Sequence, residues 1–212
     1  MPEKTLNDLF LVHMKDIYYA EKKIYRTLPK MVKAAKEPEL KKAFTTHREE
    51  TQGQIERLEQ VFEMIGKRPQ AKPCEAINGI VAEGEETIEE FGESPAIDTG
   101  LVAAGQAVEH YEMARYGALA GWAGQLGMPE AAALLNQTLQ EEMKAERLLT
   151  QIAKSKADKT TMARLKIAPQ RGHAVASAEI MARQAGHDVI LVMALPRASP
   201  FVQSISPAAD LH

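Results

Sequence analysis

Gln106–Tyr116 reads QAVEHYEMARY, which places Glu109 and Glu112 three residues apart in a segment otherwise patterned as a buried helix. Residues three and four apart lie on one helix face. At that spacing the face runs Gly105, Glu109, Glu112, Tyr116, Leu119 and Ala123, small or apolar except for two carboxylates. A lone carboxylate among apolar groups costs several kcal/mol or takes up a proton, so buried acids are paired, hydrogen-bonded or bound to metal. The rest of the chain must supply what Glu109 and Glu112 face.

Working outward, the helix that holds this stretch spans about Asp98–Leu126 and stops at Gly127. The next begins at Pro129, a good first-turn residue, and runs to about Lys154. Its stripe of Leu135, Thr138, Glu142, Ala145, Leu149 and Ile152 again has a carboxylate in mid-face, with Glu146 one turn beyond. Toward the N-terminus, helical spacing predicts a first helix over about Leu6–Ala35, capped by Thr5 or Asn7. Its stripe is Leu6, Phe10, His13, Ile17, Glu21, Ile24, Leu28 and Met31, and Pro29 is expected to kink or locally interrupt it. Glu21 is the one carboxylate on that stripe, and its neighbours Lys22 and Lys23 leave a solvated reading open. A second helix is predicted over Glu39–Ile65, opened by Pro38 and closed by Gly66. Its face of Ala43, His47, Glu50, Gln54, Leu58 and Val61 has polar residues at its middle, beside an apolar stripe of Phe44, Thr51, Ile55 and Phe62.

Residues 67–99 break this pattern with Pro69, Pro73 and Pro95 around a short helix near Ala76–Phe91. The acids Glu83, Glu85, Glu86, Glu89 and Glu90 read there as a solvated face. A connection this long suits an all-α four-helix bundle with a crossover between its second and third helices. The first hairpin carries Glu21 and then Glu50; the second carries Glu109 or Glu112 and then Glu142. Similar offsets in antiparallel hairpins would bring these acids to one level, as in an internal half-repeat.

Composition narrows the function classes. The 26 basic and 29 acidic residues give a net charge of -3, with no overall basic excess for nucleic acid. The single cysteine, Cys74, rules out an intramolecular disulfide and a cysteine-rich zinc site and fits a reducing compartment. The start, MPEKTLNDLF, lacks the pattern of a signal peptide, and the longest apolar run, Val189–Leu195, is too short to span a membrane. The expectation is a soluble, cytoplasmic protein. From about Lys159 the periodic pattern stops, and six basic residues meet three acidic ones, leaving about -6 for residues 1–158. The chain thus divides into a bundle, 1–158, and a C-terminal extension of unknown role, 159–212. In that extension Ala174–Gln184 has helical character, Asp188–Leu195 reads as a strand or apolar patch, and His173, His187 and His212 are too scattered for a metal site.

Four helices each deliver at least one carboxylate into one core layer, with imidazole and amide neighbours. Carboxylate oxygens with imidazole suit iron and manganese. Two divalent cations bridged by Glu50, Glu109, Glu112 or Glu142 would neutralise acids that otherwise repel one another. The competing account pairs the acids with Lys22, Arg48, Lys144 and Arg147 or lets them reach solvent at an open end.

The runs DIYYAEKKIYRTLPKMVKAA, ELKKAFTTHREETQGQIERLEQVF, AVEHYEMARYGALAGWA and TLQEEMKAERLL closely resemble the YciE/YciF stress-protein family of the ferritin-like superfamily. The resemblance covers about residues 3–158. It implies a ferritin-like four-helix bundle, commonly a homodimer, with a dinuclear iron or manganese site and no settled activity. Carried over residue by residue, it implies Glu21, Glu50, Glu109 (with Glu112) and Glu142 as the acids of the four helices. The di-metal carboxylate pattern places Glu-x-x-His on two helices. Here Gly53 stands three residues after Glu50 and Ala145 three after Glu142, so further ligands have to come from His47, Gln54 or Glu146.

Three functions compete at this level. One is a metal-dependent redox protein of stress defence, with Tyr18, Tyr19, Tyr111 and Tyr116 near the acids as candidate electron relays. Another is a non-enzymatic bundle in which acids or metal only hold the helices while the surface binds a partner. Nucleic-acid protection by the basic extension has the least behind it.

Overall fold

The computed structural model describes residues 3–167, with side chains through Ser155. Five helices follow in order: α1 (Leu6–Ala34), α2 (Pro38–Met64), α3 (Glu75–Phe91), α4 (Ile97–Gln125) and α5 (Pro129–Ile167). No strand occurs among the described residues. Short connections make α1–α2 and α4–α5 antiparallel hairpins, and α2–α5 and α1–α4 contacts close them into a four-helix ring. The crossover from α2 to α4 contains α3, which packs on α4 and α1.

Local chemistry sets the helix ends. Thr5 caps α1: its hydroxyl accepts from the Asp8 amide at 3.4 Å, and the Asp8 carboxylate accepts from the Thr5 amide at 2.9 Å. Such a cap contributes about 1 kcal/mol. Pro38 and Pro129 open α2 and α5, where a missing N–H costs nothing. Gly66 and Gly127 end α2 and α4 with φ of 65° and 73°, a left-handed conformation that a side chain would strain.

Two expectations from sequence need correction. Pro29 does not interrupt α1, which runs unbroken past it to Ala34. Pro29 is exposed and near the helix end, where water can satisfy the carbonyl that lost its donor. The last helix does not stop near Lys154 but continues to Ile167, because the residues beyond it, such as Met162, Ala163 and Leu165, keep good helix formers in place after the packing stripe ends. The expectations for Ala174–Gln184, Asp188–Leu195 and His173, His187 and His212 lie outside the described residues.

The core is built by the predicted stripes. Phe10, Ile17, Ile24, Leu28 and Met31 of α1 meet Leu40, Leu58, Val61 and Phe62 of α2, with Leu101, Leu119 and Ala123 of α4 and Leu135, Leu149 and Ile152 of α5. Each fully buried Leu, Ile or Phe contributes about 1.5–3 kcal/mol. That is enough in sum to carry several unfavourable polar groups in the same layer. The α3 helix lies close on α4 because Gly100 leaves room for Thr87, whose Cγ2 is 2.6 Å from where a Cβ would sit. Its acids are mostly exposed, as expected, and Glu85 pairs with Lys30 at 2.6 Å.

Candidate metal centre

The face that opened the sequence reading is wholly internal: Gly105, Glu109, Glu112, Tyr116, Leu119 and Ala123 are all buried. Glu21 of α1 and Glu142 of α5 are buried with them, as are His47 and Gln54 of α2. His47, Glu109, Glu112 and Glu142 each offer a ligand atom within 4.8 Å of the others. Three carboxylates at that spacing would repel by roughly 3 kcal/mol per ionised pair at an effective dielectric of 20. Without a counter-charge they cannot all ionise.

Three basic residues that might have paired with these acids are engaged elsewhere, and Lys144 reaches only Glu50, at 3.8 Å. Lys22 contacts the Tyr18 hydroxyl at 3.3 Å, Arg48 lies over the Tyr25 ring at 4.2 Å, and Arg57 pairs with Glu141 and donates to Thr138 at 3.0 Å. His47 Nε2 lies 3.5 Å from a Glu109 carboxylate oxygen, an ion pair when the ring is protonated, and neither ring nitrogen makes a hydrogen bond. Glu21 accepts a hydrogen bond from Tyr116, and Glu142 accepts one from Gln54. Both Glu112 oxygens and one oxygen each of Glu21, Glu109 and Glu142 have no donor. A solvated Glu21 is therefore excluded, and pairing with Lys or Arg does not account for the cluster.

Electrostatics follow from this geometry. Burial, with the neighbouring Glu142 charge, pushes the Glu21 carboxyl well above the usual range, while the Tyr116 bond works against that shift. Burial also raises Glu112, with Glu21, Glu142 and Glu109 adding to it. Glu142 is raised by burial and partly relieved by His47. Burial pushes Glu109 up to about 8; contact with Glu142 opposes the shift, and the charges of Glu21, Glu50 and Glu146 reinforce it. Tyr116 is raised by burial and by the Glu21 and Glu112 carboxylates, so its hydroxyl keeps its proton.

The remaining candidates are not members of the four-residue cluster but lie around it. Glu50 is half-buried at the edge, 3.8 Å from Lys144. Glu146 is also half-buried and accepts from Thr150 at 2.7 Å and from Gln106 at 3.4 Å. Gln54 uses its amide on Glu142 and, at 3.3 Å, on Glu141. Of the four tyrosines, Tyr116 bonds to the buried Glu21; Tyr18 donates to Glu59, Tyr19 to Asn78, and Tyr111 contacts Cys74 Sγ at 3.2 Å. The support that Arg57, Thr138 and Glu141 give beside Gln54 and Glu142 was missed from sequence. The Arg three residues after Gln54 and the acid preceding Glu142 were its only signals.

The donor set fits a divalent cation. Buried carboxylate oxygens and imidazole nitrogens without partners, converging from α2, α4 and α5, suit iron or manganese. Glu21 adds a carboxylate from α1 on the Glu112 and Glu142 side.

Comparison with known proteins finds relatives of the chain in sequence and in fold. The family model described as "Domain of unknown function (DUF892)" matches residues 5–162. Protein YciF of Escherichia coli (strain K12) is 42% identical over 160 residues, covering 75% of this chain and 96% of that protein. The crystal structure of the E. coli stress protein YciF superposes with a TM-score of 0.71 at 42% identity, over 74% of this chain and 99% of that one. The structure of YcfI from Rhodopseudomonas palustris gives 0.68 at 45% identity, over 69% and 94%. A protein from Xanthomonas campestris pv. campestris, at 23% identity and a TM-score of 0.58 over 76% and 98%, shares the fold. The chain belongs to the DUF892 family, the family of the E. coli stress protein YciF.

Proposed function

We propose that the chain is a ferritin-like stress-response protein with a dinuclear, carboxylate-bridged iron or manganese site that reacts with oxygen or peroxide. The observation that carries this reading is the cluster of His47, Glu109, Glu112 and Glu142, buried, mutually close and rich in oxygens and nitrogens without partners. These four residues and Glu21 would hold the metals, with Glu50 and Glu146 as carboxylates within reach at the edge. Gln54 and Tyr116 would orient Glu142 and Glu21 through their hydrogen bonds. The metals would supply one-electron chemistry with oxygen or peroxide, while the apolar helix stripes would keep bulk water out. The working unit is a homodimer in the cytoplasm, formed by a bundle domain, 1–158, and an extension, 159–212. Among the described residues no helix is long and apolar enough to cross a membrane.

The acids could instead stay protonated in a non-enzymatic bundle, and the burial that raises their pKa values favours that second reading. Metal analysis of protein purified without added metal, followed by anaerobic Fe(II) titration and oxygen exposure, separates the two. Near-stoichiometric metal with Fe(II) oxidation supports the first reading. A metal-free protein that ignores Fe(II) supports the second.

A further inference from the structure

The seam between α2 and α5 is open opposite the acid cluster. A cleft of about 300 Å³ lies there, walled by Phe44, Ala145, Leu148 and Leu149. Its inner end is formed by the buried His47 and Glu109 and its rim by the exposed Lys144 and Arg147. The volume is at the lower end of the range for small-molecule sites, about 300–1,000 Å³. Small residues on the facing helices, Ala43 and Ala145, leave part of this space. Gly105 of α4 leaves more: a Cβ there would lie 3.0 Å from Leu149 Cδ1 and 3.3 Å from Phe44 Cε1. Phe44 and Leu149 thus pack against α4 where the glycine leaves them room.

The charges along the cleft are ordered. Arg147 has no ion pair among the described residues, and Lys144 has only Glu50 at 3.8 Å. The cationic groups stand at the rim, so an anionic group is attracted there. The walls between are apolar. His47 closes the bottom, with both ring nitrogens buried and without hydrogen bonds.

We propose that this cleft binds a small amphipathic carboxylate, with its headgroup at Arg147 and Lys144 and its aliphatic chain directed between Phe44 and Leu149 toward His47. Binding itself needs no metal. Only the consequence, an aliphatic chain end delivered to a metal centre, rests on the function proposed above.

The test is calorimetric titration of octanoate into the full chain, in chelator and after Mn(II) loading, with octan-1-ol as the uncharged control. Saturable one-to-one octanoate binding is expected. Arg147→Gln, a change at an exposed side chain, should weaken octanoate by roughly tenfold and leave octan-1-ol nearly unchanged. Gly105→Ala should weaken both ligands, because its methyl group presses Phe44 and Leu149 back into the cleft; circular dichroism checks that the variant is folded. Absence of saturable octanoate binding to the folded wild type in both conditions overturns the proposal, as does unchanged affinity in both variants. Octanoate binding without Mn(II) uptake supports the cleft and removes only the metal reading. Mn(II) uptake without octanoate binding does the reverse.

Discussion

Tyr116 of α4 donates a hydrogen bond to Oε1 of Glu21 of α1 across the bundle core, with neither side chain exposed. The other Glu21 oxygen has no donor. This bond joins the two hairpins of the fold at the level of the acid cluster, and it opposes the rise in the Glu21 pKa that burial imposes.

Tyr116→Phe removes the donor while keeping the ring, so the expected result is a Glu21 carboxyl buried with neither oxygen satisfied. Leaving a buried polar group unpaired costs about 1–3 kcal/mol. Urea unfolding of the metal-free protein should show a loss of that size. An unchanged midpoint would mean that the bond contributes nothing to the fold.

The metal-free protein should lose stability as pH rises. Glu21, Glu109, Glu112 and Glu142 all have folded pKa values above the ordinary carboxyl value, so the folded chain keeps protons that the unfolded chain releases. Their contribution is complete below the unfolded pKa and disappears as pH passes through the folded values, with Glu109 near 8. In chelator, the melting temperature should therefore fall from about pH 5 to about pH 9. Glu109→Gln removes one of these groups: it should melt higher than wild type at the alkaline end, differ little at the acid end, and take up Mn(II) more weakly. A variant less stable than wild type at high pH in chelator, with no Mn(II)-dependent shift in either protein, would show that Glu109 has a cationic partner instead.

Removal of residues 168–212 should leave a cooperative helical melt, because the predicted core stripes are complete within α1, α2, α4 and α5. The melting temperature should stay within about 4 °C of the full chain, or about 1 kcal/mol at this size. A larger fall in a thermal scan would show that the extension shares the core.

The bundle was legible because its signals are periodic and local. Pro38, Gly66, Gly127 and Pro129 mark helix ends that the backbone adopts, and the face of Glu109 and Glu112 is buried along its whole length. Pro29 misled because a proline's effect depends on which side of the helix it occupies and on how near the end lies, and Pro29 sits exposed in the final turns. The centre was legible in part for the same reason. Helical spacing places Glu21, His47, Glu112 and Glu142 on inward faces, but it cannot tell a carboxylate at the middle of a face from one at its edge. Glu50 and Glu146 are such edge residues, reached by Lys144, Thr150 and Gln106. The Tyr116–Glu21 and Gln54–Glu142 bonds join residues far apart in sequence, so only tertiary packing could reveal them.

The crossover helix leaves unequal room on the two flanks of the acids. With α3 laid over α1 and α4, Ile80 and Val81 close that flank against an apolar void of about 40 Å³ beside Phe44 and Glu109. At α2–α5, by contrast, the cleft of about 300 Å³ reaches His47 and Glu109 themselves. The bundle therefore offers the acids more room on one side than on the other. Changes on α3 bear on the narrow side, and changes on the facing turns of α2 and α5 on the wide one.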